Sequence, residues 1–186
     1  SFPQQILTYD DLGRLQRVSN SVNGAYTRFD YALSPTRMDT YTTIEEGKGE
    51  AHSFQITDGH GRLVATATDH PGSQGGFSGQ KMVYDRMGRL IKASNPTEIT
   101  AASTDVAPSQ LLIAGVDKDT GWIYTLQTYD WKGRPLVTTN PSITSNPAET
   151  TTSDVNYTGC GCAGGDVVRL TDEMKRQQKV YSDVLG

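Results

Sequence analysis

Short runs that mix apolar and polar residues recur along the chain, and each pair of runs flanks the same polar tetrapeptide. QILTY and RLQRV enclose the first copy, and KMVY and RLIKA enclose the third. Runs of about five residues rich in Ile, Val, Thr and Tyr read as strands, too short for helices. The element between them is Asp-x-x-Gly, at Asp10–Gly13, Asp58–Gly61, Asp85–Gly88 and Asp130–Gly133. Arg follows each glycine, as Arg14, Arg62, Arg89 and Arg134. A degraded copy, TDEMKRQ, sets Lys175 where the glycine stands and keeps Asp172 and Arg176. RFDYALSPTRM (Arg28 to Met38) is a looser relic, and YSDVLG stops at Gly186 where the next Arg is due.

Asp-x-x-Gly suits a type I turn closed by a left-handed glycine, the three-residue hairpin loop with a bulge. The resulting pairing sets Asp10 across from Arg14, Tyr9 from Leu15, Thr8 from Gln16 and Leu7 from Arg17. The third copy sets Asp85 across from Arg89, Tyr84 from Leu90 and Val83 from Ile91. Asp and Gly make the joint, and Arg and Tyr fasten it by cross-strand contacts. An enzyme rarely needs four or five copies of one site, so the repeated Asp and Arg are structural rather than catalytic. Neither face of the first hairpin is cleanly apolar. A packed sandwich splits its faces better. The expected fold is therefore all-β: antiparallel β-hairpin repeats forming a curved ribbon or a section of a hollow β-shell with a partly wet interior.

Composition narrows the class. Apolar residues are 35% of the 186, and there are 19 glycines, so the core is expected to be thin. A net charge of −4 and no Lys/Arg cluster argue against a nucleic-acid partner. No apolar run reaches the roughly 18–20 residues of a membrane span. SFPQQILTYD lacks the basic start and apolar stretch of a signal peptide.

The two cysteines, Cys160 and Cys162, lie in GCGCAGGD. A four-ligand metal cage lacks its second pair. A free or buried pair, a strained local disulfide, and bonds or metal shared between chains all remain open. GVDKDTGW offers Asp117 and Asp119 as in the start of a calcium loop, but Thr128 stands where its closing Glu belongs; an acidic turn is the plainer account. GSQGGFSG lacks the Lys-Ser/Thr end of a phosphate cradle. His52, His60 and His70 are the only histidines, and no nucleophile element accompanies them. Asn156-Tyr157-Thr158 is a glycosylation sequon, meaningful in a eukaryotic secretory route. No cofactor is implied. Loops are expected near 69–79, 94–110 and 140–154, where Gly, Pro, Ser and Thr cluster.

YDDLGRL, DGHGRL, YDRMGRL, YDWKGRPL and YSDVLG resemble the YD-repeat family, also called rearrangement-hotspot (RHS) repeats, from Tyr9 to Gly186. The spacing is less regular than in tidy members, and no DPxGL-like self-cleaving segment or toxin domain is present. The resemblance implies a long antiparallel ribbon spiralling into a shell. In bacteria such shells often enclose a toxin domain; in animals related shells belong to cell-surface adhesion proteins. It also implies a secreted or surface-displayed, non-enzymatic role.

The chain is thus expected to be a single array over 1–186 serving as a shell-wall segment, cut from a longer parent or self-assembling through its strand edges. Its expected partners are copies of itself or the rest of a longer YD-repeat chain, together with an enclosed polypeptide or a surface glycan. One alternative is a subunit of an extracellular fibre or tube. Another is a carbohydrate- or cell-surface-binding module using Trp122, Trp131 and Tyr124.

Overall fold

The computed structural model describes residue 2 and residues 4–31, 36–44, 49–100, 112–113 (backbone), 121–142, 149–159 and 166–182. In chain order the strands begin with β1 (Gln5–Tyr9), β2 (Leu15–Asn20), β3 (Tyr26–Asp30), β4 (Arg37–Thr43) and β5 (Glu50–Thr57). They continue with β6 (Leu63–Asp69), β7 (Gly76–Tyr84), β8 (Leu90–Ser94), β9 (Thr97–Thr100) and β10 (Leu112–Ile113). The last are β11 (Tyr124–Tyr129), β12 (Pro135–Asn140), β13 (Thr151–Tyr157), β14 (Val167–Thr171) and β15 (Gln177–Tyr181). Every pairing is antiparallel, and no α-helix occurs among the described residues. The expected all-β hairpin architecture is the one observed. Strand also reaches into the Gly/Pro-rich stretches, with β7 starting at Gly76, β9 covering Thr97–Thr100 and β13 starting at Thr151.

The chain divides into two compact units, Ser1–Lys81 with Pro96–Trp122, and Met82–Asn95 with Ile123–Gly186. In the first, β1 to β7 pair in sequence order, and β9 lies on β7 between Gly76 and Gly79. Its core occupies one face of β5, β6 and β9: Phe54, Ile56, Ala65, Ala67 and Ile99 are buried, with Val64, Phe77 and Trp122 against them. The other face of β5, β6 and β7 carries Ser53, Gln55, Thr66, Thr68 and Gln80, a polar alternation of period two. The faces split more cleanly here than in the first hairpin, where every β1 side chain is exposed. The glycine-rich stretch serves this core. A Cβ on Gly75 would lie 2.1 Å from the Ile99 carbonyl oxygen, and one on Gly79 would lie 2.4 Å from Ile99 Cδ1. Glycine there lets β9 approach the sheet.

In the second unit the end of β7 (Met82–Tyr84) pairs with β8, and β8, β11, β12, β13, β14 and β15 follow in that order. No hydrophobic side chain of this unit is fully buried among the described residues. Ladder hydrogen bonds and contacts between neighbouring strands hold it, so the fastening residues matter more here.

Strand register differs from the sequence expectation in one repeated way. Tyr9 does face Leu15, but Thr8 faces Arg17 and Leu7 faces Val18. Tyr84 faces Leu90, while Val83 faces Lys92 rather than Ile91. The same shift falls between Ile56 and Thr57, and between Thr128 and Tyr129. One extra residue on the return strand forms a bulge just beyond each glycine-containing turn. The reason is visible in the second hairpin, where the slip sets Ala65 against Ile56 and Ala67 against Phe54. Unbulged, Val64 and Thr66 would oppose them, and the small residues of the buried row would face away.

Candidate functional site

The recurring element is a hairpin joint with one hydrogen-bond plan. The Asp10 amide donates to the Arg14 carbonyl and the Gly13 amide to the Asp10 carbonyl, each at 2.9 Å. Asp10 Oδ1 accepts from the amides of Leu12 and Arg14, at 3.0 and 2.8 Å. Its Oδ2 accepts from Arg14 Nε at 2.7 Å. Asp58, Asp85, Asp130 and Asp172 repeat every one of these bonds, the Nε contacts falling at 2.6–2.7 Å. Each aspartate has both oxygens committed to hydrogen bonds within its own turn.

The turn glycines Gly13, Gly61, Gly88 and Gly133 have φ of 76°, 77°, 80° and 83°. Lys175 takes the same left-handed position at φ 63°, the single non-glycine residue with positive φ among the described residues. A side chain there is strained. Its hairpin also lacks the bulge, since Thr171 faces Gln177 and Leu170 faces Gln178 without a shift.

Electrostatics follow the geometry. The Arg62 guanidinium lowers the Asp58 carboxyl to about 2. Desolvation raises Asp10 and Asp130, yet the backbone and guanidinium hydrogen bonds of Arg14 and Arg134 outweigh it and leave both below the usual value. The Arg89 and Arg176 amides lead the lowering at Asp85 and Asp172.

A second fastening was not visible in the cross-strand reading. The tyrosine contributes chiefly to the neighbouring hairpin. Tyr129 packs its ring 5.0 Å from the Arg89 guanidinium and donates its hydroxyl to the Leu90 carbonyl at 2.8 Å. Tyr31 does the same with Arg14 (4.3 Å) and the Leu15 carbonyl (3.0 Å). Arg134 lies 4.0 Å over Tyr157. Arg14, Arg89 and Arg134 therefore each hold their own aspartate through Nε and offer the guanidinium plane to a ring on, or just past the end of, the next strand, as a flat guanidinium allows. The sequence signal was the tyrosine ahead of the turn aspartate, as at Tyr9, Tyr84 and Tyr129, together with the off-motif Tyr31 and Tyr157.

A polar–aromatic ladder also crosses β2 to β5 on the face that carries the core. Arg17 covers Tyr26 at 3.8 Å, and the Tyr26 hydroxyl donates to Glu50 at 2.7 Å. Arg28 grips Glu50 through Nε and Nη2, both at 2.8 Å, and covers Tyr41 at 3.6 Å. Tyr41 stacks on His52 at 4.3 Å. His52 Nε2 meets Asp39 Oδ1 at 2.7 Å, and Arg37 binds both Asp39 oxygens at 2.7 Å while lying over Phe54. Arg28 leads the lowering of Glu50 to about 2. Burial works to raise Asp39, but the hydrogen bonds from Arg37 and His52 prevail and lower it. Asp39 is the anchor of a buried pair, not a free acid. The i, i+2 spacing of Arg37, Asp39 and Tyr41, and of Glu50, His52 and Phe54, was the available signal.

Cys160, Cys162, Asp117 and Asp119 lie outside the described residues. Among the described residues no group of three His, Cys, Asp or Glu side chains could hold a metal, and no helix is long and apolar enough to cross a membrane. His60 sits in a turn tip and donates its amide to Asp58. Comparison of the chain with protein-family models and with curated proteins finds no match.

Proposed function

We propose that the chain is a section of a YD-repeat β-ribbon, contributing wall rather than chemistry to a secreted or surface-displayed protein. The observation that supports this most is the single hydrogen-bond plan shared by Asp10, Asp58, Asp85, Asp130 and Asp172. A plan repeated at successive hairpins, with each acid consumed internally, is what a quasi-one-dimensional scaffold needs. Its test pairs melting with activity. Asp85→Ala and Asp130→Ala should lower the melting temperature while a hydrolase substrate panel stays silent for all forms. Turnover abolished by these changes at unaltered melting temperature would defeat the reading.

One observation favours a second role. Trp131 is 83% exposed at a turn tip and borders a groove of about 580 Å³ with Asp154, Asn156 and Tyr157. An exposed ring beside short polar side chains suits a sugar face. Quenching of tryptophan fluorescence by oligosaccharides, absent in Trp131→Ala, would support it; an unresponsive spectrum removes it.

A further inference from the structure

Two grooves of the molecule are built on one plan and carry opposite charge. The first, of about 640 Å³, lies beside the Asp10–Arg14 turn and Tyr31. The second, of about 580 Å³, lies beside the Asp130–Arg134 turn and Tyr157. Their registers match, with Arg17 facing Arg28 in the first and Val137 facing Asp154 in the second. Each facing pair lies three residues after the turn arginine and three before the locking tyrosine. The residue just before that tyrosine is Asp30 in one groove and Asn156 in the other. The turn Asp and Arg offset each other in both. Arg17 and Arg28 against Asp30 leave the first groove positive, and Asp154 alone leaves the second negative.

Asp154 is an acid with no internal use. Asp130, in the same groove, is held by Arg134 Nε at 2.7 Å. The half-buried Asp154 carboxylate makes no hydrogen bond or ion pair among the described residues, and neither does the Asn156 amide side chain. Asp154 stands on β13 with Val137 of β12 facing it on one side and Thr171 of β14 on the other, so neighbouring strands flank it. Trp131 brings an exposed indole to the same groove. Lys132 Nζ lies 5.1 Å from that ring, so the indole already receives one ammonium.

We propose that the groove between β12 and β13 binds a sugar that carries a protonated amine, with the Trp131 indole against the pyranose ring and the Asp154 carboxylate on the ammonium. This rests on the sugar reading of the Trp131 groove and names the class of sugar. An indole holds the apolar face of any pyranose, so discrimination among neutral, acidic and amino sugars falls to the charge beside it. An acidic sugar sets its carboxylate against Asp154. An amino sugar pairs with it, in a groove where water screens the contact less than on an open surface. Asn156 supplies a donor and an acceptor for ring hydroxyls. The volume suits a small-molecule site.

The experiment is isothermal titration calorimetry of the full chain with β-linked oligomers of glucosamine, N-acetylglucosamine and glucose. Mildly acidic buffer keeps the free amine protonated, and circular dichroism checks every variant. The glucosamine oligomer should bind roughly 3- to 10-fold more tightly than the other two, a margin that added salt shrinks. Asp154→Asn should erase the margin and leave the neutral oligomers unchanged, while Asp154→Glu keeps most of it. Val137→Lys, which sets a cation across from Asp154, should erase it as well and keeps the test open if Asp154→Asn does not fold. Trp131→Ala should weaken all three oligomers. Equal binding of the three, lost in Trp131→Ala, overturns the amine assignment and leaves the sugar reading standing. A margin that survives Asp154→Asn or Val137→Lys in a folded chain also overturns it. A lysine tripeptide bound as tightly as the glucosamine oligomer does the same, since an ammonium alone is then the ligand. No binding by any oligomer overturns the amine assignment and the sugar reading together.

Discussion

Arg89 donates from Nη1 to the backbone carbonyl of Asp130 at 2.9 Å while its Nε holds Asp85 at 2.7 Å. One side chain fastens two successive turns. That is the step from a single hairpin to an array, and only a forked, planar cation does both at once.

Replacing Arg89 with lysine should therefore lower the melting temperature by roughly 3–6 °C, because a point charge cannot serve both turns. Arg176→Lys, at a turn with no described successor, should cost less. Differential scanning calorimetry of the two variants makes the comparison.

The turn glycines separate two kinds of cost. A Cβ on Gly61 meets nothing within 4 Å, so Gly61→Ala pays only for the left-handed backbone, about 1 kcal/mol. Gly75→Ala drives a Cβ into the Ile99 carbonyl and should cost roughly 3 kcal/mol or more. Lys175→Gly should move the other way, raising stability by up to about 1 kcal/mol by relieving φ 63°. Urea midpoints at constant slope read all three.

Asp39 and Arg37 form a buried pair, with side chains 1% and 2% exposed. Asp39→Asn leaves the Arg37 charge buried without its counter-ion and should destabilise the first unit by about 3–5 kcal/mol. Adding Arg37→Met should recover part of the loss. Equal stability of the parent and Asp39→Asn in urea would contradict the pairing.

Acid should unfold the chain through the same carboxylates. Asp58 and Glu50 titrate near 2 when folded, below the roughly 4 of free side chains. Depressed groups of this kind stabilise above their unfolded pKa, and the contribution fades as pH falls through the folded one. The melting temperature should hold from pH 7 to about 5 and drop between about 4 and 2. Glu50→Gln should flatten part of that drop.

Much of the fold was legible because turn chemistry is local. Asp, Gly and Arg specify the joint within five residues, and the flanking runs declare strands. The turn's own bulge was legible, but the further register slip just beyond it was not, since the slip that sets Ala65 against Ile56 is decided by packing on β5 and β9. The Tyr129–Arg89 lock and the Arg37–Asp39–His52 cluster join residues on different strands, so spacing within one hairpin does not reveal them. The polar ladder explains the weak apolar patterning of β2 to β4, where guanidinium and ring planes take the place of a core.

The hairpin joint itself is tested most directly by nuclear Overhauser contacts and amide exchange in solution. Cross-strand contacts should link Val83 to Lys92 and Thr8 to Arg17, with slow exchange at the amides of Asp58, Asp85 and Asp130. Helical sequential contacts through these positions, or fast exchange at all three aspartate amides, would contradict it.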